Sequence, residues 1–287
     1  MSDIGEQRQP SLVLVSTPIG NLGDLSPRSI EALTNADSVA CEDTRRTGSL
    51  FAHFGIAHDP FIVCNEHTEA SASAEVVARI GRGETVVLVS DAGTPAVSDP
   101  GQRVVQAVID AGQRVEAIPG ASAVLVGLVV SGLATDRFCF DGFLPRKGAE
   151  RSQRIGELTN ESRTVVLFEA PHRLVRTLTD LAAALGGGRQ IVFARELTKR
   201  FEEVWRGSLD EAIAHFEDRE PRGEFVLILS GATPVDASPE ALLRALEREA
   251  DGGATRRDAV ETVVAMTNAK KRQVYDLALQ LDFSVPD

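Results

Sequence analysis

Three short apolar runs in this chain each end abruptly in a cluster of small and turn-forming residues, and that pairing limits the folds open to it. Leu12 to Val15 runs into Ser16-Thr17-Pro18-Ile19-Gly20-Asn21-Leu22-Gly23-Asp24. Thr85 to Val89 runs into Ser90-Asp91-Ala92-Gly93-Thr94-Pro95-Ala96-Val97-Ser98-Asp99-Pro100-Gly101. Val115 to Ile118 runs into Pro119-Gly120-Ala121-Ser122-Ala123. Short apolar runs that alternate with helical patterns read as buried parallel strands of an α/β fold. In such sheets ligands bind outside the carboxyl ends of the strands. Small residues there let the backbone approach a ligand closely. Three such loops at one sheet edge predict a crevice for a flat ligand held largely through backbone groups. The first of them, residues 16–24, carries no G-x-G-x-x-G and no G-K-[ST], so neither the dinucleotide fingerprint nor the P-loop applies.

The rest of the chain extends the pattern. Ser26-Pro27 opens a helix to about Asn35, with Ser as cap and Pro at its first position. Strands are predicted at 38–41 and 61–64, and helices at 72–80, 102–111 and 121–133. After Phe138 to Leu144, the segment Pro145-Arg146-Lys147-Gly148 reads as a linker and a basic spot that continues to Arg151 and Arg154. A second α/β unit follows, with strands at 165–168, 191–194, 204–206 and 225–229 forming a mixed sheet. Its ligand edge is predicted to carry Glu169, His172, Arg173, Glu196 and Lys199. Residues 233–238 read as a Pro-rich linker. Helices at 239–250, 256–267 and 270–281, the last two separated by Asn268, fit a helix-turn-helix or a small helical cap with a solvated basic face. The expected organisation is an N-terminal α/β domain over 11–135, a second over 136–232, and a helical extension over 238–287.

Charge narrows the functional classes. The chain has 287 residues and a formal net charge of −12, so it is no generic polyanion binder. Any nucleic-acid contact must come from a local basic patch. Cys41, Cys64 and Cys139 are scattered without a C-x-x-C pair, which argues against a zinc site or a disulfide framework and fits a reducing compartment. Met1 to Pro10 lacks the apolar region of a signal peptide. The apolar stretch 121–133 is shorter than the roughly 20 residues a membrane span needs. A soluble cytoplasmic protein is expected.

The hexapeptide Glu42-Asp43-Thr44-Arg45-Arg46-Thr47 places two acids and two arginines at a predicted strand end. Two readings stay open from the residues alone. One is a structural salt-bridge cluster at a helix start. The other is an acid for base work beside guanidinium groups that clamp a phosphate.

Taken together, Ser16-Thr17-Pro18-Ile19-Gly20-Asn21-Leu22, Cys41 to Thr47, Ser90 to Pro95, Pro119 to Ala123, Phe168-Glu169-Ala170-Pro171-His172-Arg173 and Arg195-Glu196-Leu197-Thr198-Lys199 closely resemble the ribosomal RNA small subunit methyltransferase I family of the tetrapyrrole-methylase superfamily. The resemblance spans about residues 11 to 283. Thr17-Pro18-Ile19-Gly20 stands where porphyrin methylases carry a Gly-x-Gly-Pro-Gly loop, which argues against a porphyrin substrate.

The resemblance implies two α/β domains with a cofactor cleft between them and S-adenosylmethionine as cofactor. It implies 2′-O-methylation of a cytidine ribose in the decoding region of 16S ribosomal RNA within the small subunit. It also implies a homodimer and a helix-turn-helix-like C-terminal extension. Carried over by motif, the cofactor contacts are Pro18, Asp91, Ala92, Gly93, Thr94, Val97, Ser122, Ala123, Ala170 and Leu197. A ribose hydroxyl needs a base or help for the developing alkoxide. Asp43 or Glu169 is expected as proton acceptor, with Arg45 and Lys199 holding phosphate or the oxyanion. The expected RNA track comprises Arg45, Arg46, Arg146, Lys147, Arg151, Arg173, Lys199, Arg200, Lys270, Lys271 and Arg272. Aromatic residues are few, so recognition is expected to lean on phosphates and RNA shape. A small-molecule methyltransferase and a non-catalytic RNA-binding protein remain the alternatives.

Overall fold

Strand runs that are buried on both faces need helices on both sides, and the first half of the chain supplies them in order. The computed structural model describes residues 9–58, 60–232, 238–267 and 269–283. Strands β1 (Ser11–Val15), β2 (Ser38–Cys41), β3 (Ile62–Val63), β4 (Val86–Val89) and β5 (Arg114–Ile118) alternate with helices α1 (Pro27–Thr34), α2 (Thr44–Phe54), α3 (Glu69–Gly81) and α4 (Gln102–Asp110). They form one parallel sheet in the order β3-β2-β4-β1-β5. Alternation along β4 divides its core. Val86 and Leu88 face Val76, Val104 and Val108 of α3 and α4, whereas Val87 and Val89 face Leu33 and Phe51 of α1 and α2. Because all five strands point one way, the three small-residue loops share one edge.

Helix starts are set by local chemistry. Ser26 caps α1, with Pro27 following it, and Asp43 caps α2 through the Arg45 N–H. α4 has no side-chain cap of its own. Instead, Glu69 Oε1 accepts from the Gly101 and Arg103 N–H groups at 2.8 and 3.0 Å, satisfying donors that a helix start leaves orphaned.

Helix α5 (Ala123–Ser131) follows β5 but packs elsewhere. Its Val124 and Leu128 lie against Val166, Val192, Val226 and Ile228 of a second sheet. Gly127 permits the approach, since a Cβ there would meet Val226 Cγ1 at 2.9 Å. Gly132, at φ 78°, ends the helix. The Arg206 guanidinium donates to the Val130 and Ser131 carbonyls, placing a cation at the helix carboxyl end.

The second sheet comprises β6 (Phe138–Phe143), β7 (Thr164–Glu169), β8 (Gln190–Arg195), β9 (Glu203–Ser208) and β10 (Phe225–Leu229), in the order β6-β7-β10-β8-β9. β6 pairs parallel to β7 and the other neighbours are antiparallel. Helices α6 (Gly148–Glu157), α7 (Leu174–Leu185) and α8 (Leu209–His215) cover the face opposite α5, around Leu167, Phe193 and Leu227. The expected mixed sheet is present, with β6 as an additional strand. The segment 145–148, expected as a linker, is therefore the turn from β6 to α6 inside this unit.

Helices α9 (Pro239–Asp251), α10 (Arg256–Thr267) and α11 (Lys271–Ala278) pack around Leu242, Leu246, Val263 and Val274. The predicted linker residues 233–237 and the separator Asn268 lie outside the described residues. Among the described residues no helix is long and apolar enough to cross a membrane. The architecture is α/β, with two five-stranded sheets and C-terminal helices.

Candidate active site

The three loops are stitched together by their own small polar groups. Thr17 and Gly93 exchange backbone hydrogen bonds at 2.9 and 3.1 Å. Thr17 Oγ1 donates to the Ser90 carbonyl, and Ser90 Oγ to that of Gly93. Ser16 and Thr94 hydroxyls meet at 3.0 Å. Gly120 sits so close to the first loop that a Cβ would come within 2.8 Å of Ser16 Cβ. Gly20 joins that loop to the second unit, since a Cβ there would lie 2.3 Å from Lys199 Cγ and 3.0 Å from the Leu197 carbonyl oxygen.

Between the units lies a cavity of about 440 Å3. That size suits a small organic ligand. Asp91, Ala92, Gly93, Thr94, Val97, Ser122, Ala123, Ala170 and Leu197 all line it. Pro18 does not; its neighbour Ile19 does. The second unit adds a wall absent from the sequence-based set: Phe143, Phe168, Phe225 and Val226. Four non-glycine residues hold positive φ, namely Ala96, Ser98, Glu196 and Thr198. All four lie in two loops that line the cavity. Such strain concentrates where function requires a particular backbone path.

A shallower polar groove adjoins the cavity, lined by Glu42, Asp43, Thr44, Arg45, Val63, Asn65 and Asp91. Asp43 is the N-cap of α2, and its carboxylate accepts from the Arg45 N–H at 2.8 Å and from Arg45 Nε and Nη2 at 3.1 and 2.6 Å. The Arg45 guanidinium and backbone hold Asp43 well below the usual carboxylate range. Asp91 accepts from the Asp43 N–H at 3.1 Å and pairs with Arg46 Nε at 3.5 Å. Within the hexapeptide, then, Asp43 and Arg45 pair with each other while Arg46 pairs outward with Asp91, and Glu42, Asp43 and Arg45 line the groove.

Burial pushes the Glu42 carboxyl up, and the negative charges of Asp91 and Asp99 add to it. Burial raises Asp99 as well, and the Asp91 charge adds to it. Glu42 and Asp99 are absent from the site residues expected from the sequence. Their signal is the acid-rich strand end and loop in which they sit.

Glu169 lines the cavity but is 2% exposed. Its carboxylate accepts from Thr177 Oγ1 at 2.5 Å and from the Ala170 N–H at 2.9 Å, and pairs with Arg173 Nε at 3.2 Å. Lys199 stays off the cavity wall. Its Nζ bonds Glu196 at 2.9 Å and Glu224 at 2.5 Å. Burial opposes its charge, yet those carboxylates outweigh it and hold Lys199 above its ordinary value.

The expected RNA track divides. Arg45, Arg46, Arg146, Lys147, Arg200, Lys270, Lys271 and Arg272 are exposed or partly exposed. Two residues are corrected. Arg151 is buried, with its guanidinium on Asp180, Thr177 Oγ1 and the Pro145 carbonyl. Arg173 turns inward to Glu169 and to the Leu144 carbonyl. Neither guanidinium is free to hold a phosphate, because its donors already satisfy buried acceptors. Two aromatic rings are more available than the sequence implied: Phe143 and Phe201 are 52% and 67% exposed.

Comparison with known proteins agrees with this layout. The family described as Tetrapyrrole (Corrin/Porphyrin) Methylases matches residues 11–213. Ribosomal RNA small subunit methyltransferase I of Synechocystis sp. is 47% identical over 274 residues, covering 94% of this chain and 98% of that protein. The protein of the same name from Mycobacterium tuberculosis is 44% identical over 271 residues, covering 94% of each chain. Among solved structures, uroporphyrin-III C-methyltransferase from Thermus thermophilus, complexed with S-adenosyl homocysteine, superposes with a TM-score of 0.51 at 18% identity, covering 77% of this chain and 91% of that one. At that identity the likeness concerns the fold.

Proposed function

The chain belongs to the ribosomal RNA small subunit methyltransferase I family of the tetrapyrrole methylases, and on that premise we propose that it carries a methyl group from S-adenosylmethionine to the 2′-oxygen of a cytidine ribose in the decoding region of 16S ribosomal RNA. The observation that carries this reading is the cavity itself, closed by both units and opening beside a groove edged with arginine.

The residues present fit the cofactor. Ala92, Gly93, Ser122, Ala123 and Ala170 are small, so the backbone forms much of the wall. Ile19, Val97, Leu197 and Val226 offer apolar surface for a flat base. Asp91 and Asp99 place negative charge on the same cavity, which favours a cationic ligand. When bound, S-adenosylmethionine supplies an electrophilic methyl carbon on a positively charged sulfur, a strong leaving group.

The protein's task is then largely positioning. Arg45 at the groove and Arg46 on the adjoining cavity wall stand to hold backbone phosphates near the methyl donor. Asp43 orients Arg45 through its two-point contact and remains a groove-side carboxylate next to the acceptor hydroxyl. Glu169 fixes the turn that presents Ala170. Lys199, tied to Glu196 and Glu224, fixes the strained 195–199 loop that presents Leu197. Arg146, Lys147, Arg200, Lys270 and Lys271 extend the phosphate track beyond the groove. The homodimer implied by the family belongs to the same proposal, and the exposed Leu125 and Val129 of α5 are available apolar surface for it.

Incubation of the protein with tritiated S-adenosylmethionine and unmodified small ribosomal subunits tests the reading. Label mapped to a ribose 2′-oxygen is expected. Cofactor binding without label in subunits would move the substrate to a small molecule or another RNA. Neither binding nor label would leave a non-catalytic protein.

A further inference from the structure

Methyl transfer to a hydroxyl releases a proton, and the site holds six carboxylates that could receive it. Four are already committed. Asp43 is forked by Arg45, and Asp91 accepts from the Asp43 N–H beside Arg46. Glu169 accepts from Thr177 and Ala170, and Glu224 from Lys199. Asp99 lines the cavity but not the groove, away from the acceptor side. Among the described residues, no hydrogen bond or ion pair engages the Glu42 carboxylate. Its position is also particular. Glu42 and Asp91 are the two residues shared by the walls of the cavity and of the groove, so they stand where a methyl donor in one would face a hydroxyl in the other.

We propose that Glu42 is the proton acceptor of the reaction, at the seam between the cavity and the groove. The assignment rests on the methyltransferase reading above and names a residue within it. As the hydroxyl oxygen forms its bond to the methyl carbon, the carbon–sulfur bond breaks and its electron pair stays on sulfur as a neutral thioether. Glu42 takes the hydroxyl proton and later loses it to water. One cation, one carboxylate and one hydroxyl thus become a thioether, a carboxylic acid and a methyl ether. Burial and the like charges of Asp91 and Asp99 make Glu42 a stronger base than an ordinary glutamate. The groups that face it are Asp43 and Arg46 of the α2 start, Asp91 and Asp99 of the loop after β4, and the Cys64 thiol after β3.

The test compares wild type, Glu42→Gln, Glu42→Asp and Asp43→Asn. Single-turnover methyl transfer, cofactor binding by calorimetry, and melting temperature are measured for each. Glu42→Gln is expected to lower the saturated rate by about 100-fold or more, the usual worth of a general base, while cofactor affinity and melting temperature stay near wild type. Glu42→Asp should recover part of the rate. The acid limb of the wild-type pH–rate profile should vanish in Glu42→Gln and persist in Asp43→Asn. An active wild type with an equally active Glu42→Gln would overturn the assignment alone. So would a Glu42→Gln defect confined to cofactor affinity, or loss of the acid limb in Asp43→Asn instead. A wild type that binds cofactor and methylates no RNA would overturn the functional reading, and the assignment with it.

Discussion

Thr177 gives its hydroxyl hydrogen to Glu169 Oε2 across 2.5 Å, joining the first turn of α7 to the cavity wall at the end of β7. The same hydroxyl accepts from Arg151 Nη2 at 3.0 Å. A buried carboxylate and a buried guanidinium are thus linked through one threonine.

Replacing Thr177 by Val should therefore cost more than a surface change. It keeps the shape of the side chain but leaves Glu169 and Arg151 each short of a partner. Unsatisfied buried polar groups cost about 1–3 kcal/mol apiece, more when charged. Thermal unfolding of Thr177→Val should show a melting temperature several degrees below wild type, by the scale of roughly 2–4 °C per kcal/mol for larger domains. Thr177→Ser, which restores the hydroxyl, should recover most of it. Equal melting of Val and Ser variants would refute the link.

Gly127 makes a separate prediction at the joint between the units. In Gly127→Ala the new methyl would sit 2.9 Å from Val226 Cγ1 and 3.3 Å from its Cβ. Overpacking of this kind typically costs about 1–3 kcal/mol. Chemical denaturation should show Gly127→Ala less stable than wild type, and the double variant Gly127→Ala, Val226→Ala less stable than wild type by less than the sum of the single changes. Strict additivity would mean that the helix is not held by this contact.

Glu161 supplies a pH dependence whose sign follows from its partners. Its carboxylate accepts from the Arg163 backbone N–H and from Arg163 Nε and Nη2, and these bonds pull it down to about 2. A folded-state value below the unfolded one stabilises the fold above the unfolded value and loses that contribution as pH falls toward the folded one. Wild type should exceed Glu161→Gln in melting temperature at pH 7, and the gap should close between about pH 5 and 2. A gap that stays constant to pH 2 would show that charge is not its source.

Arg146 and Lys147 lie at the turn between β6 and α6, just beyond the cavity-lining Phe143 and the buried Leu144. If they hold phosphates, the double change to Ala should weaken subunit or RNA binding. The salt slope of the affinity should fall by about 2, one for each phosphate that the two side chains neutralise. Cofactor affinity should not change. An unaltered salt slope would remove both from the track.

Much of the first sheet was legible because its signals are local. Small residues after β4 and β5 sit within a few positions of the strands that aim them, and seven of the ten cofactor residues carried over by motif lie in those two loops and line the cavity, joined by Ala170 and Leu197 from the second sheet. β6 was harder to read. Its run is broken by Asp141-Gly142, where the pairing with β7 slips and Gly142 takes φ 62°. Arg151 reads as solvent-facing because its acceptor, Asp180, is 29 positions away. The wall built from Phe143, Phe168 and Val226 depends on how two sheets dock, which no local pattern encodes. Glu42 and Asp43 are adjacent acids that look alike in the sequence, and only the structure shows which one an arginine has taken.

The placement of α5 bears on how the molecule can be divided. Its residues follow the first sheet in the chain, yet its apolar side completes the covering of the second. A chain cut between Ser131 and Phe138 would leave one fragment carrying a greasy helix with nothing to cover and the other with a bare sheet face. The point where the polypeptide passes from one unit to the next is therefore not where the two folding cores part. Fragments meant to fold separately would have to carry α5 with the second half, and even then the loop that holds Ser122 and Ala123 would be taken from the edge where it meets its two companions.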